Sequence, residues 1–185
     1  RTRNAPGLRE ANLALILGVI RAAGPISRVD IAKITGLSTP AVSQLVGELI
    51  ASGLVLEVGA ASSTGGRPAR LLQINPKSGY YIGVDISKKA MTSAVVNAVG
   101  EILLEKSIPT KGAENPYFRL ISLIRDTLID TKLSPESIQG IGIGVPGVVD
   151  TERQVVLSSE YLGWDNLEIG VQLSQCFRLP VWIES

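Results

Sequence analysis

Apolar positions in the first fifty residues recur every three or four places, which is the spacing of one helix face. They predict a helix over about 8–22 and a short second helix that Ser27 opens and that runs to about 35. A third helix begins at Ser38 and stops at Gly53. A serine at each start can accept a hydrogen bond from a free backbone N–H of the first turn.

The turn between the second and third helices is only Gly36-Leu37-Ser38. So short a turn makes two helices cross steeply, which is the geometry of a helix-turn-helix. Apolar residues then alternate as in strands on either side of a glycine-rich loop, at Leu54, Leu56 and Val58 and again at Leu72 and Ile74. Three helices followed by two strands around a loop predict a winged helix-turn-helix.

The pattern changes from residue 80 onward. The predicted elements are strands over 80–86, 91–98 and 101–108, a helix over 116–131, a strand over 139–145, a helix over 167–177 and a strand over 179–184. Strands followed by β/α alternation suit an α/β domain of the actin-like, ribonuclease H-like type. We therefore expect two domains, a winged helix-turn-helix head over 1–79 and an α/β domain over 80–185.

Two glycines of the predicted strand 139–145, Gly142 and Gly144, stand on one face of that strand. A strand glycine allows close approach of another backbone or of a ligand. Packing of a neighbouring strand or helix on this face is the alternative explanation.

The composition narrows the class of protein. Of 185 residues, 45% are hydrophobic, and apolar runs are too short for a membrane span. The N-terminus lacks the pattern of a secretory signal. Cys176 is the single cysteine and histidine is absent, which argues against disulfide scaffolds and ordinary zinc sites in this stretch. These features predict a cytoplasmic, metal-free protein without a membrane partner.

The net charge of +1 conceals an uneven distribution. Residues 1–79 carry nine Lys or Arg and four Asp or Glu, a net charge of +5, whereas residues 80–185 carry nine basic and thirteen acidic residues, a net charge of −4. A basic head on an acidic body indicates a polyanion that binds the head alone. Ordinary solvated surfaces are the alternative.

The third helix supplies candidates for reading base pairs. Its non-core side near the N-terminus is expected to carry Thr39, Pro40, Ser43 and Gln44. These side chains are short or hydrogen-bonding, so they can reach base edges in the major groove. The same residue types are common on any helix surface, and this remains the alternative for each of them taken singly.

The loop between the two predicted wing strands carries an arginine, Arg67, that is followed by a proline. Glycines, including Gly66, permit close approach, and Pro68 fixes the backbone directly after Arg67. An arginine presented in this way fits the narrow minor groove of A·T-rich DNA. A flexible linker is the alternative for the loop. Three further cations, Arg28, Lys33 and Arg70, are expected to contact phosphates.

Five separated segments resemble the ROK family of repressors and sugar kinases: GGRP after the head, then YIGVDIS, IGIGVPGVVD, YLGW and LPVWIE. The resemblance implies a transcription factor, usually a repressor, whose α/β domain binds a sugar or sugar derivative and changes operator affinity. It also implies a homodimer or tetramer. Family members are about twice this length, so we expect the head plus the first lobe of the sensor.

The chain departs from the kinases of that family at two places. The kinases hold ATP phosphates with an Asp-x-Gly-Gly-Thr segment, and here the segment is Asp85-Ile86-Ser87-Lys88-Lys89, without glycines. The family's sugar site ends in Glu-Asn-Asp, whereas Glu184 is followed here by Ser185. We therefore expect no enzyme activity and no catalytic residue. Zinc would belong only to the family's Cys-rich segment, which is not among these residues.

The resemblance also assigns the effector-binding residues Gly147, Val148, Glu160, Trp164 and Glu184. A core aromatic residue is the alternative for Trp164. Asp150 follows the Pro146-Gly147 loop and matches the family's pattern, and a turn cap is the alternative role for it. The predicted function is that of a sugar-responsive, sequence-specific DNA-binding regulator. Two alternatives stay open, namely a sugar kinase with an added DNA-binding domain and a constitutive DNA-binding protein whose body only dimerises.

Overall fold

The computed structural model describes residues 5–60, 68–112 and 115–185. The chain divides into two compact units, residues 1–78 and 79–185. Each unit has an apolar core of its own. Of the described helices, none combines the length and the apolar character that a membrane crossing requires.

The first unit is a three-helix bundle with a small sheet. Its elements are α1 (Ala5–Ala23), β1 (Ile26–Ser27), α2 (Arg28–Thr35), α3 (Thr39–Ala51), β2 (Val55–Ala60) and β3 (Arg70–Ile74). Within the described part of this unit, β3 lies between β1 and β2 and pairs antiparallel with both. This arrangement confirms the predicted helices and wing strands, and adds the short strand β1 that the sequence reading did not assign.

Local hydrogen bonds explain where the helices of the head begin and end. The Ser27 Oγ accepts a hydrogen bond from the Asp30 N–H at 3.2 Å, and the Ser38 Oγ accepts one from the Ala41 N–H at 3.4 Å. Gly36 ends α2 in the left-handed region, with φ of 72°, where a residue without Cβ is favoured. The three predicted caps, Ser27, Gly36 and Ser38, and the short turn are therefore present.

The buried face of β2 differs from the alternation predicted from Leu54, Leu56 and Val58. Val55 is fully buried and Leu56 is 39% exposed. Leu54 does pack against the core, but from the turn before the strand rather than from within it. The strand was predicted correctly and its inward face was not.

The second unit is built on a mixed sheet. Its elements are β4 (Tyr80–Ile86), β5 (Ala90–Asn97), β6 (Ile102–Pro109), α4 (Pro116–Asp130), β7 (Ile138–Gly144), β8 (Val148–Asp150), β9 (Val155–Ser159), β10 (Trp164–Leu167), α5 (Ile169–Phe177) and β11 (Val181–Glu184). Among the described residues the main sheet has the order β11-β7-β4-β5-β6. Strands β4, β7 and β11 are parallel, and β5 and β6 continue the sheet antiparallel.

One face of this sheet carries the core. Ile82 of β4 and Ile143 of β7 are buried in one cluster with Leu120 and Ile124 of α4 and Leu173 of α5. The β-strand period of two turns Gly142 and Gly144 to the opposite face.

Three short strands, β8, β9 and β10, form a second antiparallel sheet that the sequence reading missed. Each has five residues or fewer, and polar residues interrupt the apolar ones, so no period of two stands out. Leu167, assigned from sequence to the start of a helix, ends β10 instead, and α5 begins at Ile169.

Candidate nucleic-acid interface and effector pocket

The exposed side of α3 presents an uncharged polar surface. The four predicted base-reading residues, Thr39, Pro40, Ser43 and Gln44, are all exposed. The opposite side of the helix is buried through Val42, Leu45, Val46 and Leu49. No charged side chain stands on α3 before Glu48. This surface can therefore offer hydroxyl and amide groups to base edges without a charge in the way.

A carboxylate at the base of the wing holds two of the predicted phosphate-contacting cations. Glu57 Oε1 accepts a hydrogen bond from Arg28 Nη2 at 2.8 Å, and Glu57 Oε2 accepts one from Arg70 Nη1 at 2.7 Å. The two guanidinium groups, Arg28 first, hold the pKa of Glu57 below its usual value. Glu57 thus links the start of α2 to both wing strands.

The third predicted phosphate contact is also paired. Lys33 Nζ lies 3.2 Å from Asp30 Oδ1, one turn earlier on α2. Ser27 Oγ donates to Asp30 Oδ2 at 2.7 Å, and this bond, followed by the one from Lys33, lowers the pKa of Asp30. All three cations are exposed enough to exchange their carboxylate partners for phosphates, so a phosphate must compete with Asp30 or Glu57.

Glu57 was not among the residues singled out from the sequence. The sequence feature that could have indicated it is an acidic residue in a basic head, on the strand that neighbours the one with Arg70. The predicted minor-groove residues Gly66 and Arg67 lie outside the described residues. Pro68, which follows them, is exposed. Insertion of Arg67 into the minor groove therefore stays a prediction.

Three of the five predicted effector residues share one pocket. Gly147, Val148 and Glu160 line an open pocket of about 660 Å³. Its other lining residues are Lys88, Pro146, Ser158, Ser159 and Tyr161. A carboxylate, two hydroxyl groups of serine, a phenol and an ammonium group around one opening can hydrogen-bond a polyhydroxylated ligand.

Hydrogen bonds hold the walls of this pocket together. Ser159 Oγ donates to the Pro146 carbonyl at 2.5 Å, which joins the loop before β8 to the end of β9. The Tyr161 hydroxyl donates to the Lys88 carbonyl of the β4–β5 turn. Lys111 Nζ lies 5.5 Å from the centre of the Tyr161 ring, a distance that permits a cation–π contact.

Gly147 occupies a position where a side chain would not fit. Its φ is +153°, a conformation that residues with Cβ avoid. A Cβ at this position would overlap the Ser158 carbonyl and lie 3.1 Å from Ser159 Cβ. The glycine therefore allows the loop to pass close to β9, and this close passage forms one wall of the pocket.

The other predicted effector residues lie elsewhere in the second unit. Trp164 is only 6% exposed and packs in the core, as the alternative reading of it required, and its Nε1 has no hydrogen-bond partner among the described residues. Glu184 is exposed at the end of β11, opposite Gly144. Asp150 Oδ1 accepts hydrogen bonds from the N–H groups of Glu152 and Arg153, which is a turn role.

The turn after β4 is closed on its own side chain. Ser87 Oγ accepts hydrogen bonds from the Lys89 N–H at 3.3 Å and from the Ala90 N–H at 3.1 Å, and it donates to the Ala90 carbonyl at 2.9 Å. A phosphate-binding loop needs free backbone N–H groups that point at the ligand. In this turn the N–H groups of Lys89 and Ala90 already donate to the Ser87 hydroxyl, so they are not available to a phosphate.

Comparison with known proteins identifies the chain's relatives. Residues 81–185 match the ROK family, and residues 14–67 match the MarR family. The chain belongs to the ROK family. A curated relative, the xylose repressor of Caldicellulosiruptor bescii, is 36% identical over 181 residues, which cover 96% of this chain and 45% of that protein. The chain thus spans about half the length of the curated relatives that it matches.

Two solved structures bear on the fold. A ROK family transcriptional regulator, described as a homologue of the E. coli Mlc protein, aligns over 95% of this chain and 45% of its own, with a TM-score of 0.73 and 25% identity. A ROK family glucokinase from Streptomyces griseus, in complex with glucose and AMPPNP, aligns over 58% of this chain and 33% of its own, with a TM-score of 0.51 and 27% identity. The predicted fold class, a winged helix-turn-helix followed by a ROK lobe, is confirmed.

Proposed function

We propose that this chain is the DNA-binding and first effector-binding part of a transcriptional repressor that responds to a sugar or sugar derivative. The first unit binds an operator, with α3 in the major groove and the wing at the minor groove. The second unit contributes the pocket around Gly147 and Glu160. The protein acts as a homodimer or tetramer in the cytoplasm, so that two heads contact two half-sites.

The observation that carries this proposal is the exposed polar start of α3 on a winged helix-turn-helix. Thr39, Ser43 and Gln44 are exposed on a helix whose other side is buried. The xylose repressor that resembles nearly the whole chain supports the same conclusion, as does the transcriptional regulator with the same fold. The name of the xylose repressor also makes xylose the first effector to test.

The β4–β5 turn favours a regulator over a sugar kinase. Ser87 Oγ takes the N–H groups of Lys89 and Ala90 that a nucleotide phosphate would need. A coupled ATPase assay with glucose, xylose and N-acetylglucosamine tests this point. We expect no sugar-dependent turnover, and turnover would restore the kinase alternative.

DNA recognition is tested by selecting duplexes from a random pool with the 185-residue chain and measuring affinity by fluorescence anisotropy. Gln44→Ala is expected to weaken binding by ~1–3 kcal/mol and to relax the preference at one base pair. Gln172→Ala is the matched control, because Gln172 is an exposed glutamine on α5 in the other unit. Equal affinity of the Gln44 variant for duplexes that differ at that one base pair, which the wild type distinguishes, would support base reading by α3, and unchanged affinity and preference would refute it.

The sugar response is tested by titrating xylose, glucose, N-acetylglucosamine and their phosphates during the same measurement with the intact protein. We expect one of them to change operator affinity and Glu160→Gln to diminish that change, because a carboxylate accepts hydrogen bonds from sugar hydroxyl groups. Operator affinity that no sugar alters would favour the constitutive DNA-binding protein.

A further inference from the structure

The outer face of α1 is apolar although it is exposed. The face consists of Leu8, Ala11, Ala14, Leu15, Gly18 and Ala22, and we call it the α1 seam. Leu8 is 47% exposed and Leu15 is 45% exposed, while Ile16 and Ile20 on the opposite side are buried. Leu8, Ala11, Leu15, Gly18 and Ala22 follow one another at intervals of three and four residues, which is the spacing of a helix-pairing seam.

The small residues of the seam suit a second helix at short range. Ala11, Gly18 and Ala22 leave room for the two leucines of a facing helix, and small residues let helix axes approach to about 8 Å. No charged residue interrupts the seam. A surface of this kind on a basic head is more suited to another helix than to a phosphate backbone.

Two charged residues flank the seam on one side. Glu10 and Arg21 are eleven residues apart, about three helical turns, and so lie on the same side of α1. Both are exposed, and within the described part of the head neither has an ion-pair partner. By contrast, Arg9 is engaged by Glu48 of α3 at 2.7 Å.

Charge complementarity selects a second copy of α1 in antiparallel orientation. Glu10 lies about 7.5 Å before Leu15 along the helix axis and Arg21 about 9 Å after it. A two-fold axis through Leu15 and perpendicular to the helices keeps the charged flanks on one side and places Glu10 beside the partner's Arg21, twice. A parallel pairing places the two flanks on opposite sides and forms neither ion pair.

We propose that α1 pairs antiparallel with α1 of a second copy through the seam, and that this contact couples the two reading heads on an operator. The proposal rests on the proposed function, since DNA with two half-sites brings two heads together. One helix face is smaller than the ~800 Å² per partner that a stable interface buries. The contact therefore adds cooperativity to a dimer that other contacts and DNA bring together.

Cross-linking tests the position of the two-fold axis. In the 185-residue chain with Cys176→Ser, Leu15→Cys is expected to give a covalent dimer with a short bismaleimide on a duplex containing two selected half-sites. Ile34→Cys is the control, because Ile34 is exposed on α2 of the same head. Absence of the Leu15→Cys dimer, or equal cross-linking of both variants, would overturn the proposal.

Charge reversal tests the ion pairs. Glu10→Arg and Arg21→Glu are each expected to reduce cooperative binding to the two-site duplex about fivefold, and the double variant is expected to restore it. Simple attraction to DNA predicts tighter binding for Glu10→Arg, so weaker cooperativity in that variant points to helix pairing. Failure of the double variant to restore cooperativity would mean that another surface covers the seam.

The same experiments separate this proposal from the proposed function. Normal sequence-specific binding without the Leu15→Cys dimer would refute helix pairing and leave the repressor intact. If the wild type binds no duplex, the repressor proposal fails, and cross-linking at high protein concentration without DNA then decides the pairing, by the presence or absence of the same dimer.

Discussion

Replacement of Gly147 by alanine should destabilise the second unit and also deform the candidate effector pocket. The added Cβ would overlap the Ser158 carbonyl and lie 3.1 Å from Ser159 Cβ, so the backbone of the loop or of β9 has to move. Alanine at φ of +153° adds about 1–3 kcal/mol of strain. Forcing the packed strand aside adds about 1–3 kcal/mol more, for a total of about 2–6 kcal/mol.

Tryptophan fluorescence measures this loss in the relevant unit. Both tryptophans, Trp164 and Trp182, lie in the second unit and the head has none, so their emission in urea reports unfolding of that unit alone. The matched control is Gly142→Ala. A Cβ at Gly142 has no atom within 4 Å and that residue has no positive φ, so its free energy of unfolding should change by less than about 1 kcal/mol.

The result that would refute this reasoning is an unfolding midpoint for Gly147→Ala equal to that of Gly142→Ala. Such a result would mean that the close passage of the loop across β9 is not needed to form the pocket wall. A lowered midpoint in Gly147→Ala together with a lost sugar response would instead connect the wall geometry with effector binding.

Four further predictions concern the head. Ser27→Ala removes the cap of α2 and should lower the free energy of unfolding by ~1 kcal/mol in calorimetry, while Ser27→Gly should cost less. Glu57→Gln should tighten binding to non-specific duplex, because it releases Arg28 and Arg70; unchanged affinity would show that the pairing does not restrain them. The lowered pKa of Glu57 means that its carboxylate stabilises the head above pH 4.5, its ordinary value, and that this contribution is lost as pH falls through the lowered pKa, so wild type and Glu57→Gln should converge in stability on acidification. Arg67→Ala should weaken operator binding by ~1–3 kcal/mol and relax any A·T preference, and an unaltered preference would remove the wing from recognition.

The helices of the head and their ends followed from local signals in the sequence. Ser27, Gly36 and Ser38 each act within a few residues of their own position, so their roles were accessible without tertiary information. The inward face of β2 was not accessible in this way. Leu56 and Val55 are both apolar, and only the register against β3 decides that Val55 is buried.

The candidate sites depend on tertiary structure that the pattern of residues along the chain does not reveal. Resemblance brought Gly147, Val148 and Glu160 to attention, and the second sheet places them around one opening. The same resemblance could not show that Trp164 points into the core. The engagement of Arg28 by Glu57 depends on residues twenty-nine positions apart, and side-chain charge alone does not reveal it.

The short strands of the second sheet were missed for a physical reason. A strand of three to five residues contains at most two repeats of the alternation, and charged residues at β8 and β10 obscure even those. Strands β8 and β10 are stabilised by pairing with β9 and by packing on the core rather than by their own composition. Four of the five strands of the main sheet have seven or eight residues, long enough for a pattern to stand out, and the sequence predicted all five.

Binding of duplex DNA by the first unit is tested by the salt dependence of its affinity. We expect the 185-residue chain to bind a selected duplex with an affinity that falls steeply as salt rises, because each neutralised phosphate contributes about −0.9 to the logarithmic slope. Contacts from Arg28, Lys33 and Arg70 alone predict a slope near −3 for one head, at about −0.9 for each phosphate. Absence of measurable binding at low salt, or an affinity that salt does not change, would contradict duplex binding by the head through phosphate contacts.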